Sequence, residues 1–138
     1  MTAMSSDDYV FLNRPEVLRG LFHPRPSYGP SGNVTGAVDV MIPVGDRVAV
    51  AGRFHVGAPL APNILFFHGN GEIADDYDGL GPLYARAGIN FLVTDYRGYG
   101  RSTGLPTVSR MMRDGHAVLE FSRQWLDGNG YRGAFIVM

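Results

Sequence analysis

The order of apolar and polar positions changes character partway along the chain. Val38-Asp39-Val40-Met41-Ile42 alternates and predicts a strand, Pro43-Val44-Gly45-Asp46 reads as a turn, and Arg47 to Val56 as a second strand, together a hairpin. Beyond the loop at Gly57 to Pro62 the runs become continuously apolar. Asn63-Ile64-Leu65-Phe66-Phe67 and Ile89-Asn90-Phe91-Leu92-Val93-Thr94 read as strands buried on both faces. Between them Asp75 to Ala87 predicts a helix, with carboxylates near its start, Arg86 near its end and Gly88 stopping it. A glycine-rich loop follows from Asp95 to Gly104. The spacing of Val108, Met111, Met112, Gly115, Leu119, Ser122 and Leu126 predicts the longest helix over Thr107 to Leu126, with both methionines packed in the core. Gly133 to Met138 is again apolar and predicts a last strand.

Residues 1–36 lack such patterning and are rich in turn formers, among them His23-Pro24-Arg25-Pro26 and Gly29-Pro30-Ser31-Gly32. They read as an irregular lead-in segment with one short helical turn near Arg14 to Leu18. Residues 37–138 form the domain proper: an α/β fold that opens with a β-hairpin and continues as parallel strands joined by crossover helices. The apolar strand at Gly133 to Met138 has no partner after it, so the sheet reads as incomplete at its carboxyl terminus. An unpaired edge of that kind invites aggregation, and the chain alone is expected to aggregate or fold only in part.

Composition narrows the chemistry. Hydrophobic residues make up 45% of 138 residues and the net charge is −1, as in a globular domain. There is no cysteine, which excludes disulfides, thiol catalysis and thiolate metal sites and suits a reducing cytoplasm. The start, MTAMSSDDYV, is too polar for a signal peptide, and no stretch approaches a membrane-spanning length. All 12 basic residues are arginine. With no lysine, a Walker A motif, a Schiff base and a Ser–Lys dyad are all ruled out. The arginines are scattered, so neither nucleic acid nor a membrane is an expected partner.

Three motifs carry candidate chemistry. Gly100-Arg101-Ser102-Thr103-Gly104 spells the G-x-S-x-G of a nucleophile elbow. The preceding strand ends near Thr94, however, and Leu105-Pro106 delays the next helix. His116, the one downstream histidine, lies two residues from Asp114 on a helix, where the two side chains diverge. Ser102 therefore reads as loop structure. Gly69-Asn70-Gly71-Glu72-Ile73-Ala74 fits a dinucleotide fingerprint, with Asp95 placed as the ribose-binding acid. Glu72, Asp75, Asp76 and Asp78 would repel a pyrophosphate there, which leaves a nicotinamide cofactor as the lesser alternative. His68-Gly69-Asn70-Gly71 ends a buried strand, where glycines let backbone N–H groups turn toward a reacting carbonyl; a tight turn without a ligand explains the same four residues equally well.

Taken together, Leu65-Phe66-Phe67-His68-Gly69-Asn70-Gly71 and Asp95-Tyr96-Arg97-Gly98-Tyr99-Gly100-Arg101-Ser102 resemble the two conserved loops of the amino-terminal half of the α/β-hydrolase family, over about residues 38 to 138. The resemblance implies that Asn70 gives its backbone N–H to an oxyanion hole, that His68 and Gly69 shape that loop, and that Ser102 is non-catalytic. It implies a serine hydrolase acting on an ester, thioester or amide through an acyl-enzyme, with no cofactor and no metal. The strand at Gly133 to Met138 would be central and lead into the nucleophile elbow, so nucleophile, acid and histidine are not in this chain and it is expected to be inactive by itself. Two alternatives stay open: an aspartate nucleophile, as in dehalogenases and epoxide hydrolases, and a non-catalytic chain that pairs with a complementary carboxyl-terminal fragment.

Overall fold

The computed structural model describes residues 5–29 and 36–138. Five strands form one mixed sheet in the order β1-β2-β4-β3-β5, with β1 Ala37–Gly45, β2 Val48–His55, β3 Asn63–Phe67, β4 Asn90–Thr94 and β5 Phe135–Val137. β1, β2 and β4 pair antiparallel; β4, β3 and β5 run parallel. Among the described residues the α-helices are α1 Pro15–Leu21, α2 Gly81–Arg86 and α3 Val108–Gly128. No helix among the described residues is long and apolar enough to cross a membrane.

Strand alternation sorts the core into two layers. Leu65 and Leu92 join Ile42, Val50, Phe54, Val118 and Leu126 on the α3 face. Their neighbours Ile64, Phe91 and Val93 join Ala74, Phe66, Tyr77 and Tyr84 on the α2 face. Connection handedness explains the split. The chain steps from β3 to β4 in one direction across the sheet and from β4 over β3 to β5 in the other. Right-handed crossovers then put α2 and α3 on opposite faces. Phe54, fully buried, receives Trp125 and Tyr131 edge-on at centroid distances of 5.3 and 5.0 Å and ties the end of α3 to the hairpin.

Several expectations need correcting. β1 does not stop at Ile42: it runs through Pro43, which an edge strand tolerates, and a bulge precedes Gly45. The turn is the pair Asp46-Arg47, at φ 54° and 57°, the left-handed geometry that suits a two-residue hairpin loop. The expected helix over Asp75 to Ala87 is broken into a 3-10 turn, Ala74–Tyr77, and α2. α2 restarts at Gly81-Pro82, with the proline in its first turn, and Gly81 passes the buried His55 ring so closely that a Cβ there would lie 2.2 Å from Cγ. Within residues 1–36 the described part holds a capped 3-10 helix, Ser6–Leu12, and α1 begins at Pro15 and extends past Leu18 to Leu21. The turn read at Gly29-Pro30-Ser31-Gly32 falls largely outside the described residues.

The buried line of α3 keeps Val108, Ser122 and Leu126 of the expected one and differs between them. It runs through Val108, Asp114, Val118, Ser122 and Leu126. Met111, Met112, Gly115 and Leu119 are half-buried instead and line a cavity of about 340 Å³ with Phe67 and Val137. β5 is an edge strand, paired with β3 alone, and Ile136, Val137 and Met138 are about half exposed. Flanking on both sides, expected for a central strand, is not seen among the described residues.

Candidate active site

The carboxyl ends of β3 and β4 lie side by side, Phe67 in register with Thr94. Ligands of open α/β sheets bind at such ends. His68 and Asp95 are the next residue of each strand, both buried, and His68 Nε2 meets Asp95 Oδ1 at 2.8 Å. The same Asp95 oxygen accepts the Ala74 N–H at 2.9 Å, so one carboxylate joins the two strand ends to the start of the α2 region. His68 Nδ1 lies 2.8 Å from the carbonyl oxygen of Gly69. Both ring nitrogens thus lie beside oxygen atoms.

The loop itself is a turn from Gly69 to Glu72, closed by Glu72 N–H on the Gly69 carbonyl at 3.3 Å. Gly71 supplies the φ of 80° that the third residue of a type II turn requires. Glu72 reaches back to accept the Gly69 N–H at 2.7 Å and the Tyr77 hydroxyl at 2.6 Å. Those two hydrogen bonds hold its carboxyl below the usual range, while burial and this carboxylate push the Tyr77 phenol up. Tyr96 donates to the His68 carbonyl at 2.6 Å, and burial pushes its phenol up to about 12, so it remains a donor across the neutral range.

The consequence for Asn70 follows from peptide planarity. C=O and N–H of a trans peptide point in opposite directions. The Gly69 carbonyl is anchored inward by His68 Nδ1 and the Glu72 N–H, so the Asn70 N–H of the same peptide faces the other way, on a residue that is exposed. The Asn70 side chain does something different. Its Oδ1 accepts the hydroxyl of buried Tyr99 at 2.9 Å and the His23 N–H at 3.2 Å.

The other sequence candidates are placed elsewhere. Ser102 Oγ accepts the Ala51 N–H at 2.8 Å and fastens the glycine-rich loop to β2. His116 is exposed, whereas Asp114 is buried in a bidentate pair with Arg97, at 2.5 and 2.9 Å. No triad forms around Ser102 among the described residues. Asp95 is turned inward rather than offered to a ribose. The acidic crowd after Gly71 is already engaged: Asp75 by Arg53 and Arg101, Asp76 by Arg25, Asp78 by Arg53. Sequence reasoning missed these arginine partners, which arrive from β2, the glycine-rich loop and the lead-in segment. No group of three or more metal-ligating side chains stands together among the described residues.

Sheet order, crossovers and the two strand-end loops define an α/β-hydrolase fold. A family model described as serine aminopeptidase, S33, matches residues 59–130, and the chain belongs to that family of α/β-hydrolases. Protein bem46 of Schizosaccharomyces pombe is 33% identical over 61 residues, which is 44% of this chain and 20% of that protein. The match therefore spans about a fifth of the length of that curated relative. Among solved structures, an esterase of Pyrococcus furiosus superposes with a TM-score of 0.60 at 19% identity, covering 85% of this chain and 48% of that one. An alpha-beta hydrolase of Vibrio vulnificus gives 0.57 at 25% identity, over 75% and 35%.

Proposed function

We propose that this chain is the oxyanion half of a serine hydrolase cleaving a small-molecule ester, thioester or amide through an acyl-enzyme. The carrying observation is the Gly69–Asn70 peptide, whose carbonyl is anchored to His68 so that the N–H of Asn70, an exposed residue just past the carboxyl end of β3, faces away from that anchor. Such a donor stabilises the tetrahedral oxyanion more than the ground-state carbonyl. In this reading nucleophile, acid and histidine are supplied by sequence outside residues 1–138, and the chain alone is inactive. The site needs no cofactor. The lack of cysteine fits a cytoplasmic setting.

A second reading concerns what completes the sheet. The free edge of β5 and the apolar cavity beside α3 together suit a strand–helix segment, on the same polypeptide or on a complementary chain. A strand added parallel to β5 continues in the direction of the last crossover, so its right-handed connection lies on the α3 face, over Met111, Met112 and Gly115.

The test is to express the reading frame beyond Met138, or a complementary carboxyl-terminal half with this chain, and label with a fluorophosphonate. Label is expected on a serine outside residues 1–138; label on Ser102 overturns the assignment, and an aspartate at the elbow would redirect it to the dehalogenase type. In the completed enzyme, Asn70→Pro removes the N–H while fitting the second position of a type II turn. It is expected to lower kcat by about 10²- to 10³-fold with KM little changed.

A further inference from the structure

The lead-in segment runs across the oxyanion turn. From Phe22 to Ser27 it is tied to the glycine-rich loop by Ser27 N–H on the Gly100 carbonyl at 3.2 Å and Gly100 N–H on the Arg25 carbonyl at 2.9 Å, a parallel bridge at Pro26. Gly100 is required at that crossing. Its φ is 57°, and a Cβ would lie 2.2 Å from Asp95 Oδ2. From this seat two groups reach down to the turn. The His23 N–H donates to Tyr99 Oη at 2.8 Å and to Asn70 Oδ1 at 3.2 Å. Arg25 Nε donates to the Gly71 carbonyl at 3.0 Å, and its guanidinium also pairs with Asp76, whose carboxylate accepts the Ile73 N–H.

We propose that residues 22–27 are a clamp on the oxyanion turn, and that Arg25 is a positioning residue for the hydrolytic reaction. The turn needs one. Gly69 and Asn70 are exposed, and an oxyanion donor is useful only where its N–H is held in place before the charge develops. His68 holds the turn from beneath through the Gly69 carbonyl; Arg25 holds it from the opposite end through the Gly71 carbonyl. Asn70 Oδ1, gripped by Tyr99 and His23, fixes the residue between. The guanidinium suits this role because Nε–H and the terminal N–H groups form a rigid fork that serves the carbonyl and the Asp76 carboxylate together. Its side chain is half-exposed, so its removal opens no cavity in the core.

This inference rests on the oxyanion reading of Asn70, and the experiment separates the two. Arg25→Ala, Arg25→Lys and Asn70→Pro are compared in the completed hydrolase, with p-nitrophenyl butyrate turnover expressed per fluorophosphonate-titrated site and deuterium uptake followed over residues 69–72. Arg25→Ala is expected to lower kcat about tenfold with KM within twofold, and to speed exchange across the turn. Arg25→Lys is expected to recover less than half of the loss, since the ammonium lacks the fixed fork. Turnover per titrated site within twofold of the parent for Arg25→Ala, with Asn70→Pro strongly impaired, overturns the clamp and leaves the oxyanion reading standing. If Asn70→Pro is itself unimpaired, both fail. A lowered Tm with unchanged turnover per site marks Arg25 as structural only and also overturns the clamp.

Discussion

His55 is the residue whose environment is least reconciled with its chemistry. Its ring is buried at the end of β2 against α2, neither ring nitrogen has a hydrogen-bond partner among the described residues, and Asp78 Oδ1 stands 3.9 Å from Nε2. Burial holds its pKa below the usual 6.5, with Arg53 opposing and Asp78 and Asp39 favouring the proton. The unfolded chain takes up a proton near pH 6.5 that the folded chain refuses, so stability is full above that pH and falls as the pH drops below it. His55→Phe removes both orphan nitrogens and the titration. It is expected to leave stability at pH 7.5 equal or raised by about 1 kcal/mol, and to flatten the slope between about pH 6.5 and 5 in urea unfolding. Glu72 and Asp76, whose carboxyls are held low, add a separate loss at more acidic pH, once they are protonated.

At the scale of elements, the buried Arg97–Asp114 pair is what allows a carboxylate into the core line of α3. Asp114→Ala strands the guanidinium, with only the half-exposed Asp46 remaining at 3.2 Å, and is expected to cost about 3 to 5 kcal/mol by denaturant titration. This pair also shows where periodicity misleads. Apolar spacing placed Met111 and Met112 in the core line, because no rule of spacing reveals that Asp114 has a buried partner in a loop 17 residues away. The strands were the most legible part: β3 and β4 are short apolar runs bounded by turn formers, and they fall within a residue of where patterning put them. The break in the expected helix had a sequence signal in Pro82, which lies in the first turn of α2, whereas the nearness of His55 to Gly81 was not legible. Gly81→Ala is accordingly expected to destabilise by more than its helix propensity would gain, a difference that thermal melts would register. Of the candidate site, the strand-end turn with His68, Gly69 and Asn70 was readable from glycine placement. The grip of Arg25 and His23 was not, because a segment without periodicity gives no hint of where it lies.

For the whole molecule, the flank of β5 that is left open among the described residues is expected to govern behaviour in solution. Ile136 and Val137 are half-exposed beside unpaired backbone, a template for another chain. Sedimentation velocity of the 138-residue chain is expected to show concentration-dependent association. Ile136→Lys should shift it toward smaller species; identical profiles for the two would show that association arises elsewhere. The strand order carries one more consequence. β3 gains β4 soon after it is made, but its other side is covered only when residues 135–137 arrive, after all of α3. During synthesis β3 therefore waits half-dressed at the ribosome exit, and the length of that wait is set by the pace of translation rather than by any side chain in the sheet.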